Sequence, residues 1–312
     1  MFSHRLTRLL VLLFSIDVAA YAQNDVSARE FYTRGQQRYS KRDYYGAIAD
    51  FTRAIELRSG NSNNLQQLRS RSHSSIDRSN SGPIAILDPF IANVYSDRAV
   101  AHYARGDLEA AAADCESALA IDPGLAQAYN TRGDIRWTRG DTEGALADFE
   151  RAIAIDPDAS DQYNNRANVR RLKGDLDGAL ADSDRAIALD PLRAEFHCNR
   201  GQTRQEKGDH DGALADFERS IKLNPNLAGC YFARGKARLE SQDWPRAIAD
   251  FSRAIELDPR FALAYANRGL TFLHKGRDHD AQKDFDRCLT LYPAFKPRLD
   301  QLIDSATRER KR

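Results

Sequence analysis

The sequence predicts an all-α solenoid of about seven helix hairpins with a C-terminal capping helix, and three observations carry that prediction. Pro89, Pro123, Pro157, Pro191, Pro225, Pro259 and Pro293 stand 34 residues apart without a slip, the length of one helix–turn–helix unit. Most periods break once near the middle, as at Gly140-Asp141, where glycine suits the end of one helix and aspartate caps the start of the next. Beyond that break, Ala145, Phe149, Ala152 and Ile153 fall at i, i+4, i+7 and i+8, a single stripe of a helix.

Taken in order, residues 1–22 form a separate object. Arg5 and Arg8 precede an apolar run from Leu9 to Ile16, followed by Ala20-Tyr21-Ala22. That is the order of a secretory leader, with the cut expected before Gln23 and an uncut signal anchor as the alternative. The run is too short to cross a bilayer, which takes about 20 apolar residues, so no integral span is expected after processing. Residues 25–58 read as a first repeat out of phase with the rest, because Arg58-Ser59 stands where Asp-Pro is expected. Residues 59–88 read as an insert rich in Ser, Asn and Arg, too poor in large apolar groups to offset its ordering entropy, and hence as a disordered loop. Residues 90–293 hold six tandem repeats, and 294–312 a capping helix with a basic tail. Pro297 opens that helix, and Leu299, Leu302, Ile303 and Ala306 form its inward stripe.

The repeat resembles the tetratricopeptide repeat over nearly the whole mature chain. The resemblance rests on an early aromatic (Phe31, Tyr95, Tyr129, Tyr163, Tyr231, Tyr265, with His197 instead in one repeat), a small residue (Gly35, Ala99, Gly133, Ala167, Gly201, Gly235, Gly269) and an alanine (Ala47, Ala111, Ala145, Ala179, Ala213, Ala247, Ala281). It implies a right-handed superhelix whose first helices line a concave groove. No hairpin buries its own apolar stripe, so stability comes from stacked neighbours.

One feature departs from the commonest pattern of the family. Arg recurs in all seven repeats, at Arg34, Arg98, Arg132, Arg166, Arg200, Arg234 and Arg268, and sixteen residues later comes Asp: Asp50, Asp114, Asp148, Asp182, Asp216, Asp250 and Asp284. Both positions flank packing residues, and a guanidinium is tolerated inside a protein only beside a carboxylate that its fork can grip. A ladder of buried Arg–Asp pairs is therefore expected.

Helical spacing places the ligand-facing stripe on the first helices. Its rows are Tyr32, Gln36 and Tyr39; Ser96, Val100 and Tyr103; Asn130, Asp134 and Trp137; Asn164, Asn168 and Arg171; Cys198, Gln202 and Gln205; Phe232, Lys236 and Leu239; and Ala266, Leu270 and Leu273. Thr131, Asn165, Asn199 and Asn267 flank them. Amides offer donor and acceptor together, which suits the main chain of an extended peptide. The co-chaperone members of the family hold a carboxylate with Lys where this chain has Tyr32, Ser96, Asn130, Asn164, Cys198, Phe232 and Ala266, so that activity does not carry over.

Other functions find little purchase. With 46 Lys and Arg against 45 Asp and Glu, the chain lacks the field that nucleic acid demands. No His pair has metal spacing, and carboxylates recurring with the period belong to architecture rather than to an acid–base site. Cys115 and Cys288 read as small apolar fillers, while Cys198 and Cys230 lie on neighbouring repeats. No catalytic residue, metal or cofactor is expected. The expected partner is a protein or peptide, in a periplasm or outside the cell. A glycan ligand and a structural place in an envelope complex are the alternatives.

Overall fold

The computed structural model describes residues 23–72 and 88–310; the expected leader (1–22) and residues 73–87 of the expected insert lie outside them. Among the described residues there are helices and turns and no strand. Two compact units divide the chain after Pro157. The first holds three hairpins: α1 (23–40) with α2 (Tyr44–Ser72), α3 (Pro89–Ala104) with α4 (Leu108–Ile121), and α5 (Ala126–Thr138) with α6 (Thr142–Ile155). The second holds four: α7 (Ser160–Leu172) with α8 (Leu176–Leu189), α9 (Ala194–Lys207) with α10 (His210–Leu223), α11 (Ala228–Glu240) with α12 (Trp244–Leu257), and α13 (Ala262–His274) with α14 (Asp278–Leu291). A 3-10 turn, Pro293–Phe295, then leads into α15 (Lys296–Arg310). Within each unit the second helix of one hairpin packs on the first helix of the next.

The ends of these helices follow from local chemistry. Asp107, Asp141, Asp175 and Asp209 cap second helices by accepting from the backbone N–H three residues on, at 3.2, 2.9, 3.0 and 3.0 Å. The residue before each cap is left-handed. It is Gly106, Gly140, Gly174, Gly208 or Gly276, with φ between 71° and 88°, and in two hairpins Arg42 (62°) or Gln242 (59°) tolerates the same bend. Second helices stop at an extended residue before proline, such as Asp156 at φ −127°. In the first repeat that stop is missing. With Arg58-Ser59 in place of Asp-Pro, α2 runs on to Ser72, so the helix enters the stretch expected to be a disordered insert. The first repeat nonetheless stacks on the second: Ala47, Phe51, Ala54 and Ile55 share a core with Val94 and Ala101.

Each hairpin is filled in one of two ways. Where the first helix carries Gly, the second carries Phe. A Cβ added at Gly133, Gly201 or Gly235 would stand 2.6–2.7 Å from Cε1 of Phe149, Phe217 or Phe251, inside van der Waals contact. Where the first helix carries Ala99 or Ala167, the facing residue shrinks to Cys115 or Ser183, both buried. Volume is traded across the hairpin at constant packing density.

Around this contact lies the charged ladder. In all seven repeats the Arg donates Nε and Nη2 to the two carboxylate oxygens of the Asp sixteen residues later. Representative distances are 2.9 and 2.7 Å for Arg132–Asp148 and 2.8 and 2.7 Å for Arg166–Asp182. The seven aspartates are 3–5% exposed. A second cation completes each cluster in most repeats. Arg136, Arg170, Arg204 and Arg238 place Nη1 2.8–2.9 Å from the same carboxylates, and Arg38 does so at 3.2 Å. From Arg136 to Arg238 this second series also recurs every 34 residues, a signal present in the sequence beside that of the first series. His102 stands at its place in the second repeat and Phe272 in the last. The remaining Nη1 of the first series reaches back one repeat: Arg98 to Thr52 Oγ1 (2.9 Å), Arg200 to Asp184 Oδ1 (2.7 Å) and Arg268 to Ser252 Oγ (3.0 Å). Tyr95, Tyr129, Tyr163, Tyr231 and Tyr265 lie under the guanidinium planes at 5.2–5.8 Å. The carboxylate hydrogen bonds push the guanidinium pKa of Arg132, Arg200 and Arg268 further up, against the opposing effect of burial.

Three measurements follow. Gly201→Ala is expected to destabilise the protein by about 1–3 kcal/mol through overpacking, and Phe217→Ser by about 3–5 kcal/mol through the cavity it leaves. The double variant reproduces the Ala167/Ser183 pairing, so urea titration should find it clearly more stable than the sum of the two losses. Removing the carboxylate charge with Asp216→Asn should cost about 3–5 kcal/mol, because Arg200 and Arg204 lose the buried counter-charge they share. Arg34→Ala should cost much less than Arg234→Ala, since the Arg34 side chain is 51% exposed and that of Arg234 is 14% exposed.

Candidate ligand surface on the first helices

With Arg, Gly and the aromatic of each first helix committed to the hairpin, the opposite side of that helix is left for the stripe expected to meet a ligand. The structure divides that stripe. Ser96 (1%), Cys198 (6%), Ala266 (0%), Leu270 (7%) and Leu273 (8%) are buried, and so are Asn130 and Asn164. The reading of these residues as ligand contacts is corrected accordingly. In adjoining first helices the early part of the stripe faces the neighbouring helix, so its residues become packing residues. In the last repeat the covering element is α15. Leu299 and Ala306 pack into one core with Ala266, Leu270 and Leu273, and Arg310 Nη1 donates to Leu273 O at 3.1 Å.

The polar rows are also joined laterally. In the first unit, Tyr32 Oη and Gln36 Nε2 donate to the Asp97 carboxylate at 2.9 and 3.0 Å, and Tyr103 Oη lies 3.3 Å from Thr138 Oγ1. Burial and the Asp97 charge raise the Tyr32 pKa, so the phenol stays protonated and keeps donating. In the second unit, Asn199 Nδ2 donates to Asn164 Oδ1 at 2.9 Å, Arg171 pairs with Glu206, and Gln205 donates to Glu240. The last three links share a sequence separation of 35 residues, one more than the period. They connect equivalent faces of successive first helices. Asn267 turns onto its own helix, donating to Leu263 O at 2.8 Å, and Thr131 Oγ1 likewise donates to Gln127 O at 3.0 Å.

What stays open to solvent is smaller than the full stripe. In the first unit Gln36 is exposed and Tyr39, Val100, Tyr103, Asp134 and Trp137 are half-buried; in the second, Asn165, Asn168, Arg171, Asn199 and Gln202 are half-buried and Lys236 is exposed. The first set combines aromatic and aliphatic surface with groups that donate and accept, whereas the second consists of amides and cationic side chains.

The outer face of α1 differs from every later first helix. Glu30 and Gln37 stand there where Val94 and Ala101, or Phe196 and Thr203, are buried in other repeats. A polar face of this kind suits a terminal repeat. Among the described residues no group of three or more His, Cys, Asp or Glu is arranged to hold a metal ion, and no helix is long and apolar enough to cross a membrane.

Comparison with known proteins agrees with this architecture. Models of the tetratricopeptide repeat match residues 84–126, 96–160, 130–194, 194–227 and 262–295, and a further TPR repeat model matches 235–276. No curated protein sequence matches. Among solved structures the chain is similar to a tetratricopeptide repeat protein from Parabacteroides merdae ATCC 43184, at 17% identity and TM-score 0.60 over 90% of this chain and 98% of that one. It is similar to the Cut9–Hcn1 APC/C hetero-tetramer, at 15% identity and TM-score 0.65 over 88% and 55%. A third likeness is to PilW, a type IV pilus biogenesis factor, at 20% identity and TM-score 0.59 over 65% and 94%. At such identities the likeness is one of fold. The repeat models, by contrast, match most of the chain in register with its prolines and paired helices, and the chain belongs to the tetratricopeptide-repeat family.

Proposed function

We propose that the protein is a non-enzymatic scaffold that holds a peptide or another protein against its first helices. One observation carries the reading. After the charged ladder, the Gly–Phe contacts and the lateral links are accounted for, the first helices still present solvent-facing rows of side chains, aromatic and acidic in one unit and amide and cationic in the other. They are Trp137 with Asp134 in one unit, and Asn168, Gln202 and Lys236 in the other. Such rows offer main-chain hydrogen bonding from amides beside apolar contact area, which is how extended segments are recognised. The rest of the periodic chemistry is consumed in stacking, and a repeat array has no other element that must face outward for stability.

The same proposal places the protein outside the cytoplasm, in a bacterial periplasm or secreted, and allows it a place in an envelope complex. This part rests on Arg5, Arg8, the apolar run to Ile16 and Ala20-Tyr21-Ala22.

Two experiments test the proposal. Crosslinking in intact cells identifies a partner by mass spectrometry. A combined Asn168→Ala, Gln202→Ala, Lys236→Ala variant is then expected to bind that partner at least about tenfold more weakly, a loss of about 1.4 kcal/mol, with Tm unchanged. Trp137→Ala should act in the same direction. Unchanged recovery by both variants would move the interface to the second helices and refute binding by the first. N-terminal sequencing of the exported protein should begin at Gln23.

A further inference from the structure

The four cysteines do not share one explanation. Cys115 and Cys288 lie on second helices, in packing positions that other repeats fill with Phe, Ser or Ala, and each sits in a different apolar cluster. Burial pushes the Cys115 thiol up to about 12 and raises that of Cys288, as befits inert fillers. Cys198 and Cys230 lie instead on first helices, α9 and α11, which pack side by side. Their positions are occupied elsewhere by unrelated residues: Tyr32, Ser96, Asn130, Asn164, Phe232 and Ala266 in the one series, Glu30, Val94, Ala128, Gln162, Phe196 and Ala264 in the other. Packing at these places therefore does not call for sulfur. Yet the two cysteines meet at one junction, in a single buried cluster with Ala213, Phe217 and Ala237. Each thiol perturbs the other's titration, and the Cys230 thiol donates to Phe217 O at 3.9 Å.

We propose that Cys198 and Cys230 form a disulfide that staples the first helix of the fifth repeat to the first helix of the sixth. The chemistry is thiol–disulfide exchange with an oxidant of the small-molecule or protein disulfide class. Cys230 Sγ, as thiolate, attacks one sulfur of the oxidant and expels the other as a thiolate. Cys198 Sγ gives up its proton and attacks Cys230 Sγ, expelling the second oxidant thiolate. One S–S bond forms in the protein, one is lost in the oxidant, and the two protons released from the cysteines end on the oxidant's two thiols.

The local electrostatics favours this order. The neighbouring Cys198 thiol lowers the Cys230 thiol pKa against the opposing effect of burial, with the Arg234 guanidinium adding to the lowering, while Cys230 and burial raise that of Cys198. Cys198 is 6% and Cys230 1% exposed, so the oxidant meets them while the sixth repeat is docking or opening. The staple would hold the helices that carry Asn199, Gln202 and Lys236 at a fixed separation, and it stands whether or not those residues bind a ligand.

The test uses the full chain. It is incubated with oxidised glutathione during refolding, then denatured and alkylated without reduction, and its peptides are mapped by mass spectrometry. The expected product is a linked peptide pair joining Cys198 to Cys230, two hydrogens lighter than its parts, with Cys115 and Cys288 alkylated. Its Tm should exceed that of Cys230→Ser treated in the same way, and dithiothreitol should abolish the difference. Alkylation of both Cys198 and Cys230 in the oxidised, folded sample would overturn the proposal, as would a bridge to Cys115 or Cys288. Circular dichroism of Cys198→Ser and Cys230→Ser confirms that the comparison is made between folded proteins.

Discussion

A buried aspartate gripped by guanidinium groups is the constraint around which each hairpin is organised. The carboxylate comes from the second helix and the fork that grips it from the first, so the two helices hold one relative rotation and one relative height. A second arginine one turn further along the first helix binds the same carboxylate and spans toward the capping aspartate of the turn, as Arg204 does with Asp216 and Asp209. Ladder and turn are therefore parts of one network. Where a third contact reaches the preceding second helix, the cluster also registers one repeat against another. Charged groups this dry contribute less net stability than apolar residues of the same volume, but they are specific about what they will pack against.

The apolar part of the hairpin obeys a second, steric constraint. Phe149, Phe217 and Phe251 press so closely on the facing helix that only hydrogen fits where a Cβ would be. The repeats with Ala99 and Ala167 show the same interface solved with a smaller partner. The capped end of the array shows the same logic. In α15, Leu302 stands where earlier first helices carry the ladder arginine. There it packs against the apolar core of the last hairpin.

Function is read from what these constraints leave unused. A repeat array commits one face of each first helix to its own hairpin and part of another to its neighbours. The remaining strip is narrow and chemically varied from row to row, since nothing in the architecture dictates its composition. Amides and an exposed lysine in the second unit and aromatic groups in the first are what that strip carries, while the ladder carboxylates are engaged with arginine.

The sequence by itself determined the period, the paired helices, the glycine–aspartate turns and the identity of the ladder partners, because each of these is set by residues within one 34-residue unit. The sixteen-residue step from Arg to Asp lies wholly inside a hairpin, and the chemistry of a buried guanidinium names its partner. Only the tertiary structure decided which stripe residues remain open. Burial of Asn164 beside Asn199, of Leu270 and Leu273 under α15, and the meeting of Cys198 with Cys230 all depend on a neighbouring element about one repeat away in sequence. The run of α2 to Ser72 lay between these cases. The missing proline is visible in the sequence although the composition that follows is polar, and a helix with no stop signal continues as long as its residues permit. Local rules fix what a single hairpin is; the distance and tilt between hairpins fix which of its atoms meet water, and no periodicity encodes that.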